Sequence, residues 1–187
     1  VNHKANEAWS VKQVRFGWID FIDDLEVSAA LLEAVSEFGR KAGMTQIVGP
    51  LGFTDFDPEG MLVEGFDKLA PFSCLYNYPY YVDIMQELGF VQECDWIQYM
   101  MPADQGVDER IRSIAARLMD KYKLRVADFD LLKKDRDTVR KFFRTYNECY
   151  DGTVYNFIPF TEAEIEEEID QIIGQLDRRL CCVLMDE

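Results

Sequence analysis

The hydrophobic and polar positions of this chain change period several times, and each change predicts an element. Residues 14–21, VRFGWIDF, are aromatic and β-branched and are bounded by acidic residues, which reads as a strand. Leu25, Ala29, Leu32, Val35 and Phe38 then recur at helical spacing. Asp23 or Asp24 stands where a cap is needed, and Gly43 where a left-handed terminator is wanted. TQIVGP, residues 45–50, reads as a short buried strand ended by Pro50. Strand, helix and strand with tight connections predict a right-handed crossover joining two parallel strands.

The stretch from 49 to 71 is rich in glycine and proline and reads as a long structured loop. Pro79 suits the first turn of the next helix, Asn77 or Tyr78 its cap, and Gly89 its end. VQECDWIQYMM, residues 91–101, reads as a returning strand stopped by Pro102. Val107, Ile111, Ile114, Leu118 and Tyr122 mark an amphipathic helix, and KLRVADFD (123–130) a strand. Val139, Phe142, Phe143 and Tyr146 form another helical stripe. Thr161 and Glu164 fit a capping box ahead of Ile165, Ile169, Ile172 and Leu176. The closing LCCVLMDE (180–187) reads as a strand with nothing after it to turn the chain back. Together with an opening Val1, it predicts a piece of a longer protein.

Composition narrows the function classes. With 187 residues, 48% of them hydrophobic, the chain can bury a core as one domain or two small halves. A net charge of -15 opposes phosphate backbones and anionic lipid, so neither nucleic acid nor a membrane is expected as a partner. There is no apolar run of spanning length and no signal peptide pattern. Five cysteines without CxxC spacing, an odd number, predict a reducing, cytoplasmic setting.

The order of elements, with IMQELGF running into a strand that ends in IQYMM, looks like the second half of the GNAT acyltransferase fold. GPLGFTDFDPEGMLVEGF, YNYPYY and ELGF together resemble a poorly characterised branch of bacterial GNAT-like proteins, over roughly residues 14–100. Residues 124–187 are similar, less closely, to the opening elements of such a unit. The resemblance implies an α/β fold, a GNAT-like mixed sheet flanked by helices, with elements from two tandem halves or in permuted order. It divides the chain into a C-terminal-type half, 1–103, and a second part, 104–187, made of a helix and N-terminal-type elements. The implied activity is acyl transfer to a small amine, with a non-catalytic small-ligand or protein-binding domain as the alternative.

Such enzymes hold acyl-CoA through a glycine-rich loop at a helix N-terminus. The equivalent stretch here, IDDLEVSAA, puts Asp23, Asp24 and Glu26 where phosphates would lie, which disfavours acyl-CoA at this place. The tyrosine that such enzymes use as general acid is replaced by Met85; Tyr81 lies one turn earlier on the same face. The candidate catalytic residues are thus Tyr81 and, as a base toward an amine, Glu64. Phe66, Asp67, Tyr76, Asn77 and Tyr80 are the candidates for substrate binding, with a capped helix under a ring cluster as the structural alternative. The only histidine, His3, leaves no base for a Ser-His or Cys-His couple. DFDPEG has the alternating carboxylates of a calcium loop but lacks its twelfth-position glutamate, so no metal is expected. The expected partner is a small amine or other small ligand, and a dimer stays open.

Overall fold

The computed structural model describes residues 1–71, 74–102, 104, 106–127, 134–175, 177 and 182–186. Among these residues, six helices and four short strands run in the order α1 (His3–Ala8), β1 (Gln13–Arg15), α2 (Leu25–Lys41), β2 (Gln46–Val48), α3 (Tyr80–Glu87), α4 (Glu109–Tyr122), β3 (Arg125–Val126), α5 (Arg136–Tyr150), α6 (Glu162–Gln175) and β4 (Leu184–Met185).

The chain divides into two compact units, one formed by 1–95 with 150–159 and the other by 96–149 with 160–187. In the first unit β1 and β2 pair in parallel, with Val14 opposite Ile47, and α2 makes the crossover between them. Asp24 caps α2: its carboxylate accepts from the N–H groups of Glu26 and Val27. Past the helix end, Gly43 takes the positive φ (75°) that a left-handed terminator needs. The helix seats closely on the strand at Gly39, where an added Cβ would stand 2.5 Å from a Val14 methyl. Phe16, Leu32 and Met85 form one buried cluster under this crossover, and Phe21, Tyr81 and Ile84 a second beside it.

In the second unit, α5 and α6 close a core of Val139, Phe143, Phe160, Ile165 and Ile169. The capping box forms as the spacing predicts: the Thr161 N–H donates to Glu164 Oε2, and the Glu164 N–H to Thr161 Oγ1. Along the outside of this pair Arg136 and Arg140 bind Glu166, and Arg144 binds Glu162. Hydrogen bonds from the two arginines hold Glu166 down at a pKa of about 2.

The expected mixed sheet flanked by helices is not formed. The described strands make two separate two-stranded sheets, β1 with β2 and, antiparallel, β3 with β4, and the longer elements among the described residues are helices. The decisive stretch is 91–101, expected as a core strand. It is extended but joins no ladder, and all of its residues are exposed. A run of apolar residues becomes a strand only when a neighbour satisfies its backbone and covers its side chains. Within 14–21 the strand ends early, because Trp18 turns into the left-handed region at a φ of 50°. Of 123–130, Arg125 and Val126 are in a strand and 128–130 lie outside the described residues, as do Leu176, Leu180, Cys181 and Glu187 of the later readings. Among the described residues, no helix is long and apolar enough to cross a membrane.

Candidate functional site

The tyrosine-rich stretch LYNYPYY leads into α3, and its side chains act on distant backbone. Tyr80 donates its hydroxyl to the Phe21 carbonyl at 2.8 Å, while the Phe21 N–H donates to the Tyr81 hydroxyl oxygen at 3.1 Å. The Phe21 ring stacks on Tyr81 with centroids 4.0 Å apart. Both polar groups of this one residue are therefore held by adjacent tyrosines of α3. Asn77 does the same for Leu62, accepting from its N–H at 2.6 Å and donating to its carbonyl at 3.1 Å. Tyr76 donates to the Phe66 carbonyl at 2.9 Å. The motif pins two loops, the turn after β1 and the long connection after β2, against the start of α3.

These pinned loops border a half-open cavity of about 210 Å³ lined by residues from both loops and α3, among them Trp18, Asp20, Met61, Tyr76, Asn77 and Tyr81. Its polar wall is the pair formed by Tyr81, whose hydroxyl donates to Asp20 Oδ1. Burial, and then that hydrogen bond, push the Tyr81 hydroxyl up to a pKa of about 12, so at neutral pH it stays a protonated donor. Asp20 itself is exposed at the cavity, in contrast to the buried tyrosine that orients it. Trp18 lines the same space with an indole that is 70% exposed, and its left-handed backbone conformation is unusual for so large a residue. A strained residue at a cavity wall is a common mark of a functional site.

Of the residues singled out from sequence, Tyr81, Tyr76 and Asn77 line this cavity. Tyr80 stands behind it, stacked on Tyr78 and bound to Phe21. Glu64 and Asp67 are exposed on the loop and Phe66 is half-buried; none of the three is among the lining residues. Sequence reasoning missed Asp20 and Trp18. Asp20 is 61 positions from its tyrosine, and no local spacing signals such a pair. The available signal was a Trp and an Asp at the end of a predicted strand, where strand-end side chains commonly face a ligand site.

The start of α2 is closed by its own cap. Its first N–H groups are already taken by Asp24, with Glu26 N at 2.9 Å and Val27 N at 3.2 Å from the carboxylate, and Glu26 adds a second negative charge. In the DFDPEG turn, Asp57 Oδ2 accepts from the N–H groups of Phe53 and Thr54 and so acts as a turn cap. Burial and the neighbouring Asp55 raise the carboxyl of Glu59 to a pKa of about 7.

Comparison with known proteins adds distant relatives. The chain is 27% identical over 160 residues to a protein of Escherichia coli K12 called Protein YghO, covering 84% of this chain and 40% of that one. It is 26% identical over 167 residues to the bacterial ceramide synthase of Caulobacter vibrioides, covering 88% of this chain and 42% of that one. The chain thus spans about two fifths of the length of the curated relatives it matches. No protein-family profile matches it, which leaves the GNAT resemblance without support from that side, and no solved structure matches it.

Proposed function

We propose that this chain is the amine-binding segment of an acyltransferase-related protein, with Asp20 as the carboxylate that receives the amine. The observation that carries this reading is the Asp20–Tyr81 pair on the wall of the cavity. A carboxylate whose one oxygen is fixed by a permanently protonated tyrosine can present the other to an ammonium group. Such a charge-assisted bond is shorter and stronger than a neutral one. The name of the Caulobacter relative supports the same chemistry, since a ceramide is the amide of a long-chain amino alcohol.

In the reaction, Asp20 takes a proton from the bound ammonium, which frees the nitrogen lone pair. The nitrogen attacks the acyl carbon of a thioester, a C–N bond forms, and the C–S bond breaks with its electron pair leaving on sulfur. A second proton from nitrogen goes to that thiolate through solvent. Tyr81 is a positioning residue here: it orients Asp20 and, at a pKa of about 12, holds its own proton throughout. Asn77, Tyr76 and Tyr80 serve the site by fixing the loops that carry Asp20 and Met61.

The test is amide formation between a primary amine such as octylamine and the octanoyl thioester of N-acetylcysteamine, followed by mass spectrometry. Asp20→Asn should lower the rate roughly 100-fold, as expected for loss of a general base. An unchanged rate in that variant would remove Asp20 from the mechanism. The alternative, a small-ligand domain without turnover, is favoured by the occupied start of α2, and saturable amine binding with no amide product would establish it.

A further inference from the structure

We propose that α4 is a membrane-surface helix that docks on anionic lipid headgroups. This rests on the helix and the stretch that leads into it and is independent of the cavity. None of the α4 residues is buried, although the helix is strongly two-faced. Ile111, Ile114, Leu118 and Tyr122, extended backward by Val107, line one side at a spacing of three or four, and each is between 40% and 58% exposed.

The charges are ordered around that stripe. With about 3.6 residues per turn, Arg110, Arg117 and Lys121 fall along one border of the apolar face and Arg112 along the other, while Lys123 is the left-handed cap beyond the last turn, paired with Asp120. Glu109 and Asp120 fall at the opposite pole with Ser113. Four basic residues against two acidic ones within Glu109–Tyr122, with one further charge of each sign at the caps Asp108 and Lys123, make this helix a local cation in a chain of net charge -15. Lys121 reaches back over the Tyr122 ring, 4.9 Å from its centre, so even the aromatic end of the stripe carries a cation at its edge.

An apolar face bordered by Arg110, Arg117 and Lys121 on one side and Arg112 on the other, with the two acids of the helix itself at the far pole and Asp108 spent as its cap, matches the bilayer interface: side chains enter the acyl boundary while long basic stems reach the phosphates. A purely hydrophobic protein partner accounts for the stripe but not for two basic borders. The acidic remainder of the chain opposes the approach only within a Debye length of about 8 Å at physiological salt, whereas the borders sit at the surface itself. The extended stretch before the helix adds exposed Trp96, Tyr99, Met100 and Met101. Tryptophan and tyrosine are the residues that concentrate at the headgroup level.

Flotation of the whole chain with vesicles at about 0.15 M salt tests this. Equal parts phosphatidylglycerol and phosphatidylcholine should carry the protein up the gradient, and phosphatidylcholine alone should not. At about 1 kcal/mol per basic residue near an anionic surface, replacing Arg110, Arg117 and Lys121 by Gln should lower partitioning roughly 100-fold. Ile111→Asn with Leu118→Asn should abolish it. These positions are exposed, so an unchanged circular dichroism spectrum shows that the fold survives. No flotation with anionic vesicles, or flotation that both variants leave intact, overturns the proposal. So does a concentration-dependent dimer that the Ile111 and Leu118 changes dissolve while vesicles bind nothing, because the stripe would then belong to a second copy.

Discussion

Asn77→Ala should destabilise the first unit more than the loss of the Tyr76 hydroxyl does. The buried amide makes three hydrogen bonds, to the Leu62 N–H, the Leu62 carbonyl and the Tyr78 carbonyl at 2.6, 3.1 and 3.1 Å. Each such bond contributes about 0.5–1.5 kcal/mol net, and a buried group left without its partner costs about 1–3 kcal/mol. Leu62 is only half-buried, so water recovers part of the loss, and the expected cost is about 2–3 kcal/mol. Tyr76→Phe is the control, since it removes one hydroxyl bond from an exposed residue and should cost about 0.5 kcal/mol. Urea unfolding followed by near-UV circular dichroism measures both, and hydrogen exchange at the Leu62 amide reads the clamp itself. A cost near that of the control, with Leu62 protection unchanged, would show that the loop holds its shape without Asn77.

Two further outcomes follow from other parts of the molecule. Glu59 has a folded pKa of about 7 against an ordinary 4.5, so its contribution to stability is present below about pH 4.5 and lost as pH rises through 7. Glu59→Gln should therefore stabilise the protein at pH 8, by about 1–2 kcal/mol after allowing for its partial solvation, and do nothing comparable at pH 4; a gain that does not depend on pH would refute this. Ile169→Ala, at a position with no exposed surface, should cost about 2–5 kcal/mol in thermal unfolding of the second unit, and a loss under 1 kcal/mol would mean that the core refills the cavity.

What the sequence made legible was local. Asp24 and Gly43 bracket α2 because capping and left-handed termination are decided by residues a few positions apart. The same holds for Thr161 with Glu164, and for the short crossover that sets β1 beside β2. Asn77 shows where locality ends. Its type and position suggest a helix cap, yet Pro79 occupies the cap without a side-chain bond and the amide reaches back 15 residues to Leu62. The stretch at 91–101 has the composition of a strand, but composition cannot supply a partner strand. His3 opens a short helix, with Asn2 as its cap, that no periodicity announced: six residues are too few for a helical repeat to show. The ring cluster was visible as a cluster, and its purpose became visible only with the backbone groups of Phe21, Leu62 and Phe66 in place.

Asp20, oriented by Tyr81, is proposed to receive an ammonium group in the cavity beside Trp18. Titration of n-butylammonium into the chain, followed at the indole N–H resonance of Trp18 assigned with Trp18→Phe, measures this. A saturable shift that n-butanol does not produce is expected. Asp20→Asn should weaken the binding roughly 10- to 100-fold, the worth of one hydrogen bond to a charged group at about 1.5–3 kcal/mol. Tyr81→Phe should weaken it less, because the carboxylate remains and only its orientation is lost. Equal shifts with n-butanol, or binding that Asp20→Asn leaves unchanged, would contradict the claim.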